Sequence, residues 1–153
     1  MGIELTVGDV MTRDVVTVTP DTSVRDIARM LMERRFSGVP VVDGEGTVLG
    51  MVSEADLVER VSGPHLPPHI ELLGGVIYLE NPLHLEEKLR KAMAVTAGEI
   101  MSTHPVTVKP STPLRDVADL MVTRKLNRFP VVEGKRLVGI ITRHDVISTL
   151  LAD

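Results

Sequence analysis

Two segments of the chain set a hydroxyl and a carboxylate at one fixed spacing: Gly50-Met51-Val52-Ser53-Glu54-Ala55-Asp56 and Gly139-Ile140-Ile141-Thr142-Arg143-His144-Asp145. Both read Gly, two apolar residues, Ser or Thr, two variable residues, then Asp. Two chemistries suit that order. One is structural: a capping box, in which the hydroxyl accepts the third helical N–H and the acid reaches back to the cap. The other is ligand chemistry. A strand ends, Gly lets a ligand approach the backbone, and a helix opens with free N–H groups that favour an anion such as phosphate. Asp56 and Asp145, one turn in, can accept both hydroxyls of a ribose. Ser53 and Thr142 can bond ribose or phosphate, and apolar residues upstream can sandwich a flat base. A capping box does not need the apolar-Pro-Val-Val strand that precedes both segments, so their double occurrence favours the ligand reading.

The segments recur because the chain recurs. Shifted by 90 positions, Gly8, Met11, Val16, Thr17, Val18, Pro20, Thr22, Arg25, Asp26 and Ala28 meet Gly98, Met101, Val106, Thr107, Val108, Pro110, Thr112, Arg115, Asp116 and Ala118. Arg34, Pro40, Val41, Val42 and Gly44 then meet Arg124, Pro130, Val131, Val132 and Gly134. One residue is lost in the second copy, and at a shift of 89 Gly50 and Asp56 meet Gly139 and Asp145. The chain is two copies of a unit of about 55 residues with an insert between them. Residues 1–61 and 97–153 are expected as the two domains and residues 62–96 as the insert.

Each copy predicts the order β-α-β-β-α. Residues 15–18 and 106–108 read as short β-branched strands, broken by Pro20 and Pro110. Thr22 and Thr112 suit helix N-caps, with Pro113 at the first helical position. Val24, Ile27, Ala28 and Leu31, then Leu114, Val117, Ala118 and Met121, show helical spacing. Residues 39–42 and 48–52 form a hairpin around Asp43-Gly44-Glu45-Gly46, with Glu133-Gly134-Lys135 as the shorter turn of copy two. Final helices start at Ser53 and Thr142. A unit this small needs a partner for its second face, so the two copies are expected to pack with pseudo-twofold symmetry and a cleft along the seam. The insert carries Pro64, Pro67, Pro68 and Pro82, a short strand over 76–79 after Gly74-Gly75, and a helix-forming stretch over 85–94.

Composition removes several function classes. Lys plus Arg number 17 and Asp plus Glu 21, a formal charge of −4. A weakly acidic chain is a poor nucleic-acid binder, and three aromatics (Phe36, Tyr78, Phe129) make no stacking platform. The absence of Cys excludes disulfides, thiolate metal sites and a Cys nucleophile, and fits a cytoplasmic setting. No apolar run approaches the roughly 18 to 20 residues that span a bilayer, and residues 1–9 lack an apolar signal core. The chain is expected to be soluble and unprocessed.

Enzyme patterns fail. Gly50-Met51-Val52-Ser53-Glu54 misses the last Gly of a nucleophile elbow. Gly44-Glu45-Gly46 has Leu49 where a dinucleotide fingerprint needs Gly. His65 and His69 are separated by Pro67-Pro68, so no helix presents both to a metal. His144 has no evident triad partner. No catalytic residue and no metal site are expected.

The repeat resembles a tandem pair of cystathionine β-synthase-type (CBS) domains, the unit called a Bateman module. The resemblance rests on Asp9-Val10-Met11-Thr12, Val39-Pro40-Val41-Val42-Asp43 and the first Gly-to-Asp segment, matched by Glu99-Ile100-Met101-Ser102, Phe129-Pro130-Val131-Val132-Glu133 and the second. It implies an α/β (α+β) fold of two CBS repeats and a non-catalytic regulatory sensor of AMP, ADP, ATP, S-adenosylmethionine or a related adenosine ligand, bound in two clefts between the copies. No cofactor is obligatory. The family's ribose-binding Asp maps onto Asp56 and Asp145, and its hydroxyl residue onto Ser53 and Thr142. Residues 36–39 (Phe36, Ser37 and Gly38 among them) and 126–129 (Asn127, Arg128 and Phe129 among them) would line base and phosphate. The segments ending at Val16 and Val106 would complete each cleft from the opposite copy. Arg128 stands where phosphate-binding members carry a basic residue; copy one has Ser37-Gly38 there, so the sites are expected to be unequal. The resemblance also implies a disc-like homodimer; with no effector domain expected, the signal would pass to a separate target protein or change self-association. The rival reading is a ligand-free dimeric interaction scaffold.

Overall fold

The computed structural model describes residues 4–63, 69–78, 86, 89–91 and 93–152. Copy one contains α1 (Val7–Val10), α2 (Val24–Arg34), β1 (Gly38–Val42), β2 (Val48–Ser53) and α3 (Glu54–Ser62). The insert contributes β3 (His69–Leu72) and β4 (Gly75–Tyr78). Copy two contains α4 (Ala97–Ile100), β5 (Ser102–Thr103), α5 (Leu114–Arg124), β6 (Arg128–Glu133), β7 (Arg136–Thr142) and α6 (Arg143–Ser148), closed by a 3-10 turn, Thr149–Leu151.

The expected strands at 15–18 and 106–108 shrink to single parallel bridges, Val18 to Val41 and Val108 to Val131. The prolines explain this. Val18 N–H donates to the Pro40 carbonyl at 3.0 Å, and Val42 N–H donates back to Val18 at 2.9 Å. Continuing the ladder one step either way needs an N–H from Pro40 or Pro20, and proline has none. Pro130 and Pro110 confine Val108 in the same way. Thr22 and Thr112 are not the N-caps. Their hydroxyls accept the N–H of Thr19 and Lys109 inside the preceding turn, at 3.2 and 3.0 Å. Ser23 caps α2, accepting from Asp26 N–H, and Pro113 takes the cap position of α5.

The lead helix of each copy packs on the other copy. Val7 and Gly8 N–H groups donate to Thr112 and Pro110 carbonyls, while those of Ala97 and Gly98 donate to Thr22 and Pro20. Val7 and Met11 therefore belong to the core of copy two, with Val108, Leu114, Val117, Phe129, Val131 and Ile141. Ala97 and Ile100 enter the core of copy one, with Ile27, Leu31, Val39, Val41 and Val52. Burial of each such side chain contributes roughly 1.5–3 kcal/mol for the larger aliphatics. The sheets follow the same exchange: β5 extends the β1-β2 hairpin, and Thr12 bridges Ile140 on β7. A Thr47 to Arg136 bridge joins the two hairpin ends.

In the insert, β4 covers most of the expected strand and pairs antiparallel with β3, His69 facing Tyr78; Leu79 lies outside the described residues. Of the stretch 85–94, Glu86 and residues 89–91 are helical, Met93 and Ala94 are not, and the others lie outside the described residues. Among the described residues, no helix is long and apolar enough to cross a membrane.

Candidate functional site

Strand β2 runs into α3, and β7 into α6, at Ser53 and Thr142. Both junctions are capping boxes. Asp56 Oδ2 accepts the Ser53 N–H at 2.9 Å and hydroxyl at 3.1 Å, and Asp145 Oδ2 accepts the same groups of Thr142 at 2.9 and 3.0 Å. The structural chemistry is thus present in both copies, which leaves one oxygen of each carboxylate, Oδ1, for other work.

Two sequence expectations need correction here. The helix starts do not offer a row of free N–H groups. Ser53 and Asp56 N–H are taken by the box, and Glu54 N–H donates to the Ser37 carbonyl at 2.9 Å. In copy two, Thr142 and Asp145 are likewise engaged, and Arg143 N–H donates to Asn127 at 2.9 Å. The glycines do not make room for a ligand either. A Cβ on Gly50 would stand 2.7 Å from Met101 Sδ and from the Ser102 carbonyl oxygen; on Gly139 it would stand 2.7 Å from Met11 Sδ and 3.0 Å from the Thr12 oxygen. The space is used by the exchanged lead segment.

Two of the clefts along the seam hold the motif aspartates. Cleft one, about 460 Å³, holds Ser53 and Asp56 of copy one with Ser37 and Gly38. Val106, Asn127 and Arg128 arrive from copy two. Cleft two, about 360 Å³, holds Thr142, Asp145 and Arg128 of copy two with Val16 and Phe36 of copy one. Eleven of the twelve residues singled out in the sequence therefore line a cleft. The exception is Phe129, which is fully buried in the second core because β6 turns it inward, away from Arg128.

Arg128 sits between the clefts. Its Nε donates to Ser37 Oγ at 3.3 Å, and its guanidinium carbon lies 5.2 Å from the centre of the Phe36 ring. Burial lowers its pKa from the ordinary arginine value, opposed by the attraction of Asp145 and Glu54. Arginine nonetheless stays cationic at any physiological pH.

The clefts differ at their carboxylates. Asp56 is 6% exposed, and its Oδ1 pairs with Lys91 Nζ at 3.3 Å. Among the described residues, nothing hydrogen-bonds Oδ1 of Asp145, which is half-buried at the wall of cleft two.

Sequence reasoning missed several cleft residues. Arg35 and Lys125 end α2 and α5 in the left-handed region, at φ 56° and 54°, where glycine is usual. Both are basic and both line clefts, and the 90-residue shift already pairs them. His104 in cleft one and Asp14 in cleft two also pair under that shift. Lys91, which lines no cleft but pairs with Asp56, had only its place near the end of a helix-forming stretch to announce it. Among the described residues, no group of three His, Cys, Asp or Glu could hold a metal ion.

A family model described as CBS domain matches residues 7–63 and 97–152. The chloroplastic CBS domain-containing protein CBSX2 of Arabidopsis thaliana is 33% identical over 156 residues, covering 95% of this chain and 63% of that protein. The chain thus spans less than two thirds of that relative. MJ1426 of Methanocaldococcus jannaschii is 30% identical over 153 residues, covering 94% of this chain and 89% of the relative. The crystal structure of CBSX2 in complex with AMP matches with a TM-score of 0.74 at 32% identity, over 96% of each chain.

Proposed function

Because the chain belongs to the CBS domain family, we propose that it is a regulatory sensor that binds an adenosine ligand and catalyses nothing. The ligand is an AMP-, ADP- or ATP-like nucleotide or an S-adenosylmethionine-type molecule, seated in cleft two. The observation that carries this reading is Asp145, which lines a cleft that also holds Arg128 and Phe36 and whose Oδ1, among the described residues, takes no hydrogen bond. One carboxylate oxygen closes the helix cap, and the other is left to accept ribose hydroxyls. Arg128 offers a phosphate a charge-assisted bond, stronger than a neutral one. That CBSX2, similar over almost the whole chain, crystallised with AMP supports the ligand class.

In this reading residues 1–61 and 97–153 are the two sensing domains and 62–96 an insert. Both copies contribute walls to each cleft, so a bound ligand bridges them. It favours whichever arrangement of the copies it binds better, and can shift the equilibrium by no more than that difference in affinity. The signal passes to a separate target protein or to self-association as a homodimer. The absence of cysteine fits work in a reducing compartment such as the cytoplasm.

Isothermal titration with AMP, ATP, S-adenosylmethionine and adenosine tests the proposal. Saturable heat with at least one of them is the expected result. Silence across the panel would select the ligand-free scaffold.

A further inference from the structure

Lys91 belongs to the insert and does not line cleft one, yet its ammonium reaches two residues that do, Asp56 and Ser102. Nζ is 3.3 Å from Asp56 Oδ1 and 3.2 Å from Ser102 Oγ. The two side chains of the ion pair are 11% and 9% exposed, so neither is a solvated surface group. The oxygen that Lys91 engages is the same one that, among the described residues, stays open on Asp145. Oδ2 is spent on the helix cap in both copies, so Lys91 takes what remains of the copy-one carboxylate.

The lysine is held there by its own segment. Ala94 N–H donates to the Lys91 carbonyl at 3.3 Å, and Ala94 is fully buried in the first core. Arg60 on α3 donates through Nε to the Ala94 carbonyl at 2.7 Å. Val24 N–H, at the start of α2, donates to the Val95 carbonyl at 2.9 Å. Two hydrogen bonds and the burial of Ala94 thus fix the backbone just after Lys91 to copy one.

We propose that Lys91 disables cleft one: it occupies the Asp56 carboxylate in place of ligand hydroxyls, so the chain binds one adenosine ligand in cleft two until Lys91 withdraws. This rests on the adenosine reading above. The physical argument is competition. A ligand entering cleft one must break a buried ion pair and leave an ammonium without its carboxylate, which is costly away from water. Its apparent affinity falls by the fraction of molecules whose Lys91 is withdrawn. Lys91 thereby becomes the determinant of stoichiometry, and anything that pulls it away frees a second site.

The test is AMP calorimetry on wild type and Lys91→Met. Wild type should bind one AMP per chain. The variant should bind two, the added site at least about tenfold tighter than any second binding in wild type, as expected where the competent form is about a tenth populated or less. Two equal sites in wild type, a variant that still binds one, or a variant that loses AMP altogether would each overturn the proposal. Because Lys91→Met leaves a buried carboxylate and can weaken the fold, the pairing is also read in ligand-free wild type by lysine acylation with mass-spectrometric readout. Lys91 should be protected relative to the exposed Lys109 and Lys135, and should become reactive in Asp56→Asn. Equal reactivity of all three in wild type would overturn the pairing. Absence of AMP heat in both proteins would overturn the adenosine reading and the competition with it, while the footprint still decides the pairing.

Discussion

At the scale of single residues, the two motif aspartates have the same cap and different neighbours. Asp56 spends both oxygens on protein partners, Asp145, among the described residues, only one. The sequence shows the matched Asp, Ser and Thr plainly, because their spacing is identical in both copies. It does not show Lys91, whose approach depends on how the insert folds back. Arg128 is the residue whose chemistry is most easily isolated. In the proposed reading it contacts phosphate, while its bond to Ser37 and its place beside Phe36 tie the two copies together. Arg128→Ala should cost AMP about 1.5–3 kcal/mol, the range for hydrogen bonds to a charged group. Adenosine should lose little. A two-by-two titration of wild type and variant with AMP and adenosine reads this. Equal loss for both ligands would assign Arg128 to the seam, and no loss would assign it to the surface. Fold stability should drop by about 0.5–1 kcal/mol from the lost ring contact, measurable by denaturant unfolding.

At the scale of elements, helical spacing and the hairpins are legible because their burial follows a local period. Ile27, Leu31, Leu114 and Val117 are buried as the spacing requires, and the β1-β2 and β6-β7 hairpins form where turn residues mark them. What local pattern cannot show is a partner far along the chain. The β-branched runs at 15–18 and 106–108 have strand propensity, but proline on each side removes the donors that would extend their ladders. Gly50 and Gly139 look like ligand-approach glycines, yet each lies under a methionine from the opposite copy. Gly139→Ala should therefore destabilise the fold by about 1–3 kcal/mol, the usual cost of overpacking. The Met11 sulfur can move aside, but the Thr12 carbonyl belongs to the bridge with Ile140 and cannot. Gly44→Ala, which meets nothing within 4 Å, is the control and should change stability little. Urea unfolding of the two variants beside wild type checks both. Near-equal midpoints for all three would contradict the account of the exchanged lead segment.

At the scale of the whole molecule, the self-comparison reveals two copies because identities of many residue types align in order. It cannot reveal that α1 and α4 change places, since Gly8 and Gly98 align whichever copy they touch. In the proposed reading that exchange matters for signalling: each core contains residues of both copies, so a shift of one copy against the other strains both. The faces around α3 and α6 leave Val58, Val61, Ile147, Leu150 and Leu151 exposed. Association through these helices is expected to give a homodimer at micromolar concentration. Light scattering should then report twice the 16.7 kDa chain mass, and Val58→Lys with Ile147→Lys should return it to the single-chain value. A single-chain mass for wild type at high concentration would contradict the dimer.

In the proposed reading an adenosine ligand enters cleft two, on Asp145, while Lys91 occupies the Asp56 carboxylate of cleft one. Amide chemical shifts of the 15N-labelled chain, followed as AMP is added, test it most directly because the clefts report through different residues. The account predicts that Val16, Thr142 and Asp145 shift together and saturate at one AMP per chain, with Ser53, Asp56 and Val106 still near their ligand-free positions. Movement of Ser53, Asp56 and Val106 first, or of neither set at saturating AMP, would contradict it.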